Sequence, residues 1–145
     1  MTAPQGKGVR LVWVVVPVVA WNVILGPFLP QGYASDQGVP QWLVWTEHAL
    51  RVGIFGMPLV LWPTAEHRRA AWAVVGSGLC LYFISWLPIL LDSELAQLQP
   101  WALLPAVTPA VWLGGLVWLS GSRVYGIVAV LFLVTHVAHQ IVAGP

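Results

Sequence analysis

The sequence predicts an all-α integral membrane protein, a bundle of five transmembrane helices of which several are kinked by proline. Three observations carry that reading. Charged residues make up 8% of the chain and hydrophobic residues 59%, against roughly 25% charge in a soluble domain, so there are too few polar side chains to cover a water-exposed surface. Apolar runs of about the twenty residues that cross a hydrocarbon core recur along the chain, with polar breaks between them. The basic residues also gather on one side when those runs are threaded alternately through a bilayer.

The runs span residues 9–29, 41–62, 70–91, 101–119 and 123–143, and the 145-residue chain reads as a single transmembrane domain. The first follows Lys7 and Arg10 and precedes Gly32-Tyr33-Ala34, which imitates a secretory signal with its cleavage site. It is longer than the roughly 7 to 15 residues of a signal's apolar region, so it is read as a retained span. The breaks carry Pro, Gly, Ser and charge, as turns do. No run alternates in the manner of a barrel strand.

With the N-terminus in the cytoplasm, Lys7, Arg10, Arg68, Arg69 and Arg123 lie inside and Asp36, Asp92 and Glu94 outside. That is the positive-inside distribution, and it places the C-terminus outside a multi-pass chain in the cell membrane. Most tryptophans then fall at the two interfaces, Trp86 and Trp101 among the outer ones. Trp21 and Trp112 fall near mid-bilayer, where lipid-facing bulk and the wall of an internal pocket are both open readings. Pro17, Pro58, Pro88, Pro105 and Pro109 interrupt the runs, each freeing a backbone carbonyl, and the two prolines of the fourth run are expected to bow it and open a cavity. Gly76 with Gly78 and Gly114 with Gly115 offer surfaces for close helix approach.

Composition and motifs exclude several classes. A net charge of +1 without a basic cluster argues against nucleic acid. Cys80 is the only cysteine, so no intrachain disulfide forms. There is no Gly-rich phosphate loop, no carboxylate cluster for magnesium and no nucleophile motif, and no cofactor is expected. His136 and His139, at i and i+3, have chelating spacing, but without His-Glu-x-x-His or a repeated bis-His pattern no metal is assigned.

The polar residues inside the apolar runs carry the functional reading. Thr46-Glu-His-Ala-Leu-Arg51 sets Glu47 and Arg51 at i and i+4 with the acid first, the favourable order for a helical ion pair, and His48 shares Arg51's stripe. His136, His139 and Gln140 form a second stripe at the same outer-half depth. Asn22, Tyr82, Ser85 and Asp92 fall in that layer too. Leaving such edges against lipid costs several kcal/mol per uncompensated group, so the two stripes are expected to face each other or a shared pocket. One reading is a structural ion pair that fixes helix register; the other is a working site.

In the second reading Glu47, His48, Arg51, His136 and His139 are the candidate catalytic residues. Asn22, Trp21, Tyr82, Ser85, Trp86, Asp92, Trp112 and Gln140 are the candidate substrate contacts. The expected function is intramembrane acid–base chemistry on a hydrophobic, isoprenoid or lipid-like substrate, of isomerase or cyclase type. Glu47 serves as the acid if its surroundings keep it protonated against the pull of Arg51, with His48 or His136 as base or relay. Aromatic faces at Trp21, Tyr82, Trp86 and Trp112 then stabilise a cationic intermediate. The alternatives are a small-molecule binding or transport protein, which without an internal repeat requires a homo-oligomer, and an accessory subunit of a membrane complex.

In length, helix count and tryptophan richness the chain resembles the translocator protein family, although that family's closely spaced Trp and Pro motif is absent. Acid groups among aromatic residues inside a helix bundle are similar to the sterol isomerases typified by the emopamil-binding protein and to small membrane-bound terpene cyclases. Both likenesses are architectural, and no residue role is carried over from them.

Overall fold

The computed structural model describes residues 10–29, 36, 38–64, 68–91 and 103–143, which are mostly α-helical with no strand among them. In chain order these are α1 (Val12–Leu25), α2 (Gln41–Gly56), α3 (Arg68–Ser85), α4 (Leu87–Leu90), α5 (Leu104–Val107), α6 (Pro109–Ser120) and α7 (Arg123–Ala143). Proline explains the pieces. Pro88 follows the break at Trp86 between α3 and α4, Pro109 follows the break at Thr108 between α5 and α6, and Pro58 lies in a 3-10 turn, Met57–Leu59, that ends the second helix. Each lacks the N–H that would continue the helical ladder.

Two helical stretches, Arg69–Leu90 and Arg123–Ala143, are long and apolar enough to cross a membrane, each with mean hydropathy 1.9; Val12–Phe28 and Leu104–Ser120 are apolar but shorter. The second helix joins neither group, because Glu47, His48 and Arg51 dilute its apolar run and Pro58 cuts it short. Thus, of the five spans the sequence predicts, two are present among the described residues by length and composition.

Of the helix pairs, α3 and α6 share the most extensive contact. Gly78 and Gly115 make that contact: a Cβ on Gly115 would stand 2.6 Å from Val75 Cγ2, and one on Gly78 would collide with the backbone of Trp112. Gly76 and Gly114 have nothing within 4 Å of the corresponding position, so one glycine of each expected pair makes the approach. The second close pair is α2 with α7. Tyr125 Oη, near the start of α7, donates to the Ile54 carbonyl near the end of α2 at 3.4 Å, which fixes the two as antiparallel. At the same end of the bundle the Arg10 guanidinium lies 5.0 Å above the Trp62 ring. Thr64 binds the end of α6 through N–H to the Leu119 carbonyl and Oγ1 to the Ser120 carbonyl, each at 2.8 Å.

Candidate functional site

Antiparallel packing of α2 on α7 brings the two polar stripes face to face. Glu47 projects from the middle of α2 into that seam and is 1% exposed. A carboxylate so buried must be matched by donors, and three basic side chains surround it. The Arg51 guanidinium, one turn along the same helix, donates to Oε1. His136 Nδ1 on α7 donates to the same oxygen at 2.9 Å. His139, one turn further, brings Nδ1 to 2.5 Å from Oε2.

The two histidines engage differently. The His136 contact has hydrogen-bond geometry, and its ring is clamped parallel to Phe132 with centroids 5.2 Å apart and planes 10° apart. His139 is close to its acid without being in line with it: neither ring nitrogen, nor Glu47 Oε2, completes a hydrogen bond. On its other side His139 Nε2 lies 3.3 Å from Oδ1 of Asp36, a surface residue. Distance alone makes both contacts ionic when the ring is protonated, but orientation denies them the directionality of a hydrogen bond.

Beside this cluster lies a cavity of about 380 Å³ bounded by α1, α2, α3, α5, α6 and α7. Arg51, His136 and Gln140 form a polar part of its wall, with Asn22 and Tyr82 contributing another. Tyr82 Oη rests on the Asn22 amide, 2.8 Å from Nδ2 and 3.0 Å from Oδ1, while Asn22 Nδ2 also donates to the Val18 carbonyl at 2.7 Å. The remaining wall is apolar and aromatic, including Phe55, Trp86 and Trp112. Pro105 and Pro109 line it too, at the kinked segment where the sequence led us to expect an opening.

Most candidate substrate contacts therefore meet in one place: Asn22, Tyr82, Trp86, Trp112 and Gln140 all border the cavity, as do the candidate catalytic residues Arg51 and His136. Others do not. Glu47 is absent from the wall and stands behind Arg51 and His136, so it reaches the cavity through them. His48 points away from the seam; it is exposed, its Nδ1 donates to the Val44 carbonyl at 2.7 Å, and it borders a second hollow together with Asp36, Gln41 and Trp45. Trp21 packs its ring 5.0 Å from that of Phe83 and does not border the cavity. Ser85 is spent on the fold, donating to the Tyr82 carbonyl at 2.6 Å and lying 3.3 Å from Thr108 Oγ1. Asp92 lies outside the described residues, as does Trp101.

Asp36 and Phe132 are the participants that sequence reasoning missed. Asp36 reads as an ordinary loop charge, and its proximity to His139 depends on how the chain enters α2. Phe132 lies one turn before His136, a spacing that could have paired the rings.

No metal-binding group of three or more His, Cys, Asp or Glu side chains occurs among the described residues. The basic groups converge on the Glu47 carboxylate. No protein-family model, curated protein or solved structure matches the chain.

Proposed function

We propose that the chain is a multi-pass membrane protein whose cavity admits a hydrophobic small molecule, and that His136 exchanges a proton with it in a reaction of isomerase type. The carrying observation is the 2.9 Å bond from His136 Nδ1 to the buried Glu47 carboxylate, made by a histidine that also borders the cavity beside Arg51.

Apolar surface supports the membrane setting. Along α7, Val124, Ile127, Val130, Val134 and Ile141 recur at helical spacing and are each more than half exposed. Only 17% of that helix's most apolar window is buried, unlike a soluble core helix. A stripe of this kind is stable against lipid and costly against water.

The chemistry follows from which nitrogen is occupied. Glu47 accepts the proton on Nδ1 of His136, so the neutral ring carries its basic lone pair on Nε2, and the carboxylate stabilises the imidazolium that forms when Nε2 takes a proton. Arg51, always cationic, borders the same space and stabilises negative charge developing on a substrate oxygen. Removal of a proton from a carbon next to a carbonyl, followed by its return to a different carbon, uses both groups and moves a double bond without any external reactant. A permanent cation on the wall opposes a carbocation, so proton-shift isomerisation is favoured over cyclisation. Glu47 reaches the substrate only through His136, whose ring it orients, instead of serving as the acid itself.

The test is isotopic. The full chain, purified in lipid nanodiscs with whatever small molecule it retains, is incubated in deuterated water and the molecule is analysed by mass spectrometry. Deuterium entering at carbon in the wild type but not in His136→Gln supports the reading. A retained molecule that never gains deuterium identifies a binding protein, and an empty cavity removes the hydrophobic substrate.

A further inference from the structure

We infer that Asp36, His139, Glu47 and His136 form a proton path between the protein surface and the cavity, with His139 as its moving part. Asp36 is exposed, and its Oδ1 is 3.3 Å from His139 Nε2; His139 Nδ1 is 2.5 Å from Glu47 Oε2; Glu47 Oε1 is 2.9 Å from His136 Nδ1. Acid and imidazole alternate along the whole chain of contacts, so each step joins a donor to an acceptor. The path rests on the acid–base role of His136 and adds to it a route by which the protons of that ring exchange with water.

His139 is the observation that calls for an explanation. Its side chain is buried, yet both ring nitrogens and the facing Glu47 Oε2 lack a completed hydrogen bond. A purely structural ion cluster would turn the ring until one bond formed, because an unmatched buried polar group is costly. A ring held within reach of two carboxylates and in line with neither is placed to serve them in turn.

The steps balance without any oxidant or co-reactant. His136, protonated at Nε2 from the cavity, passes its Nδ1 proton to Glu47 Oε1. Rotation of that carboxyl group presents the proton to His139 Nδ1, the resulting imidazolium releases its Nε2 proton to Asp36, and Asp36 releases it to water. The His139 ring turns to each carboxylate as it receives and releases, and the same steps in reverse carry a proton from Asp36 back to His136 Nδ1, so that outward and inward passage together restore both rings to their starting tautomers. Arg51 is the other charged group on Glu47, and it occupies Oε1, leaving Oε2 to His139. On the outer side Asp36 borders the hollow that His48 also lines, so its carboxylate has access to solvent.

The path can be tested without a substrate, so it and the enzymatic reading can fail separately. In the full chain labelled with ¹⁵N-histidine in nanodiscs, NMR measures how fast the His136 Nδ1 proton exchanges with water. Asp36→Asn and His139→Gln are each expected to slow that exchange by about ten-fold or more, the factor for a barrier raised by about 1.4 kcal/mol when a proton-carrying group is removed from the path. The His136 Nδ1 shift should remain that of a nitrogen bonded to Glu47. A wild-type exchange rate in Asp36→Asn, a surface change that leaves the buried cluster intact, overturns the path. An unchanged rate in folded His139→Gln overturns it as well.

Discussion

Glu47 and His136 are separated by 89 residues of chain and joined by a 2.9 Å hydrogen bond across the α2–α7 seam. That bond ties a carboxylate with no surface of its own to a histidine that faces the cavity. It also makes one ionisable group part of what holds the two helices together.

Removing that group should be expensive. Glu47→Ala leaves Arg51, His136 and His139 without their shared partner and is expected to destabilise the fold by about 3 kcal/mol, the lower end for one lost member of a buried ion pair. The lower end applies because the Arg51 side chain is 42% exposed and regains water. Thermal unfolding in detergent is the measurement. Glu47→Gln, which keeps shape and one acceptor, should unfold between wild type and the alanine variant, and identical midpoints for all three proteins would contradict the cluster's structural weight.

His48 provides the control. Although it is the neighbour of Glu47 in sequence, its side chain is exposed and, among the described residues, bonds to its own helix. His48→Ala should alter stability by no more than about 0.5 kcal/mol, as exposed substitutions do, and should leave deuterium incorporation into the ligand unchanged. A large loss of incorporation would return His48 to the site.

The glycine contacts between α3 and α6 are predicted to reach the cavity through Trp112. Gly78→Ala pushes a methyl group into the Trp112 backbone, and overpacking of this kind costs about 1 to 3 kcal/mol. Because Trp112 borders the cavity, mass spectrometry of the purified variant should also find less retained ligand. Gly76→Ala, two residues away and in open space, should match the wild type in both assays.

Topology is predicted from the distribution of basic residues. A reporter fused after Pro145 should be active outside the cytoplasm, and one fused before Met1 inside. Cytoplasmic activity at Pro145 would reverse the orientation and place Asp36 on the inner side.

Ligand exclusion follows from cavity size. Ala106 is buried and borders the cavity, so Ala106→Phe adds bulk where the ligand would lie. Retained ligand should fall while the circular dichroism of the helices is unchanged; undiminished ligand would locate binding elsewhere.

Sequence by itself determined the local features: helices in place of strands, the proline breaks, the i,i+4 pairing of Glu47 with Arg51, and a second stripe through His136, His139 and Gln140. Each is a spacing along one helix and needs no knowledge of its neighbours. The rotation of each helix about its axis was decided only by tertiary packing. Successive helical residues point about 100° apart, so Glu47 and His48 cannot both face α7, and the burial of the α2–α7 seam selected Glu47. The same packing withdrew Glu47 behind Arg51 and His136, set Trp112 rather than Trp21 on the cavity wall, and brought Asp36 to His139. Those relationships join residues far apart in the chain, and they exist because apolar faces on several helices had to be buried at once.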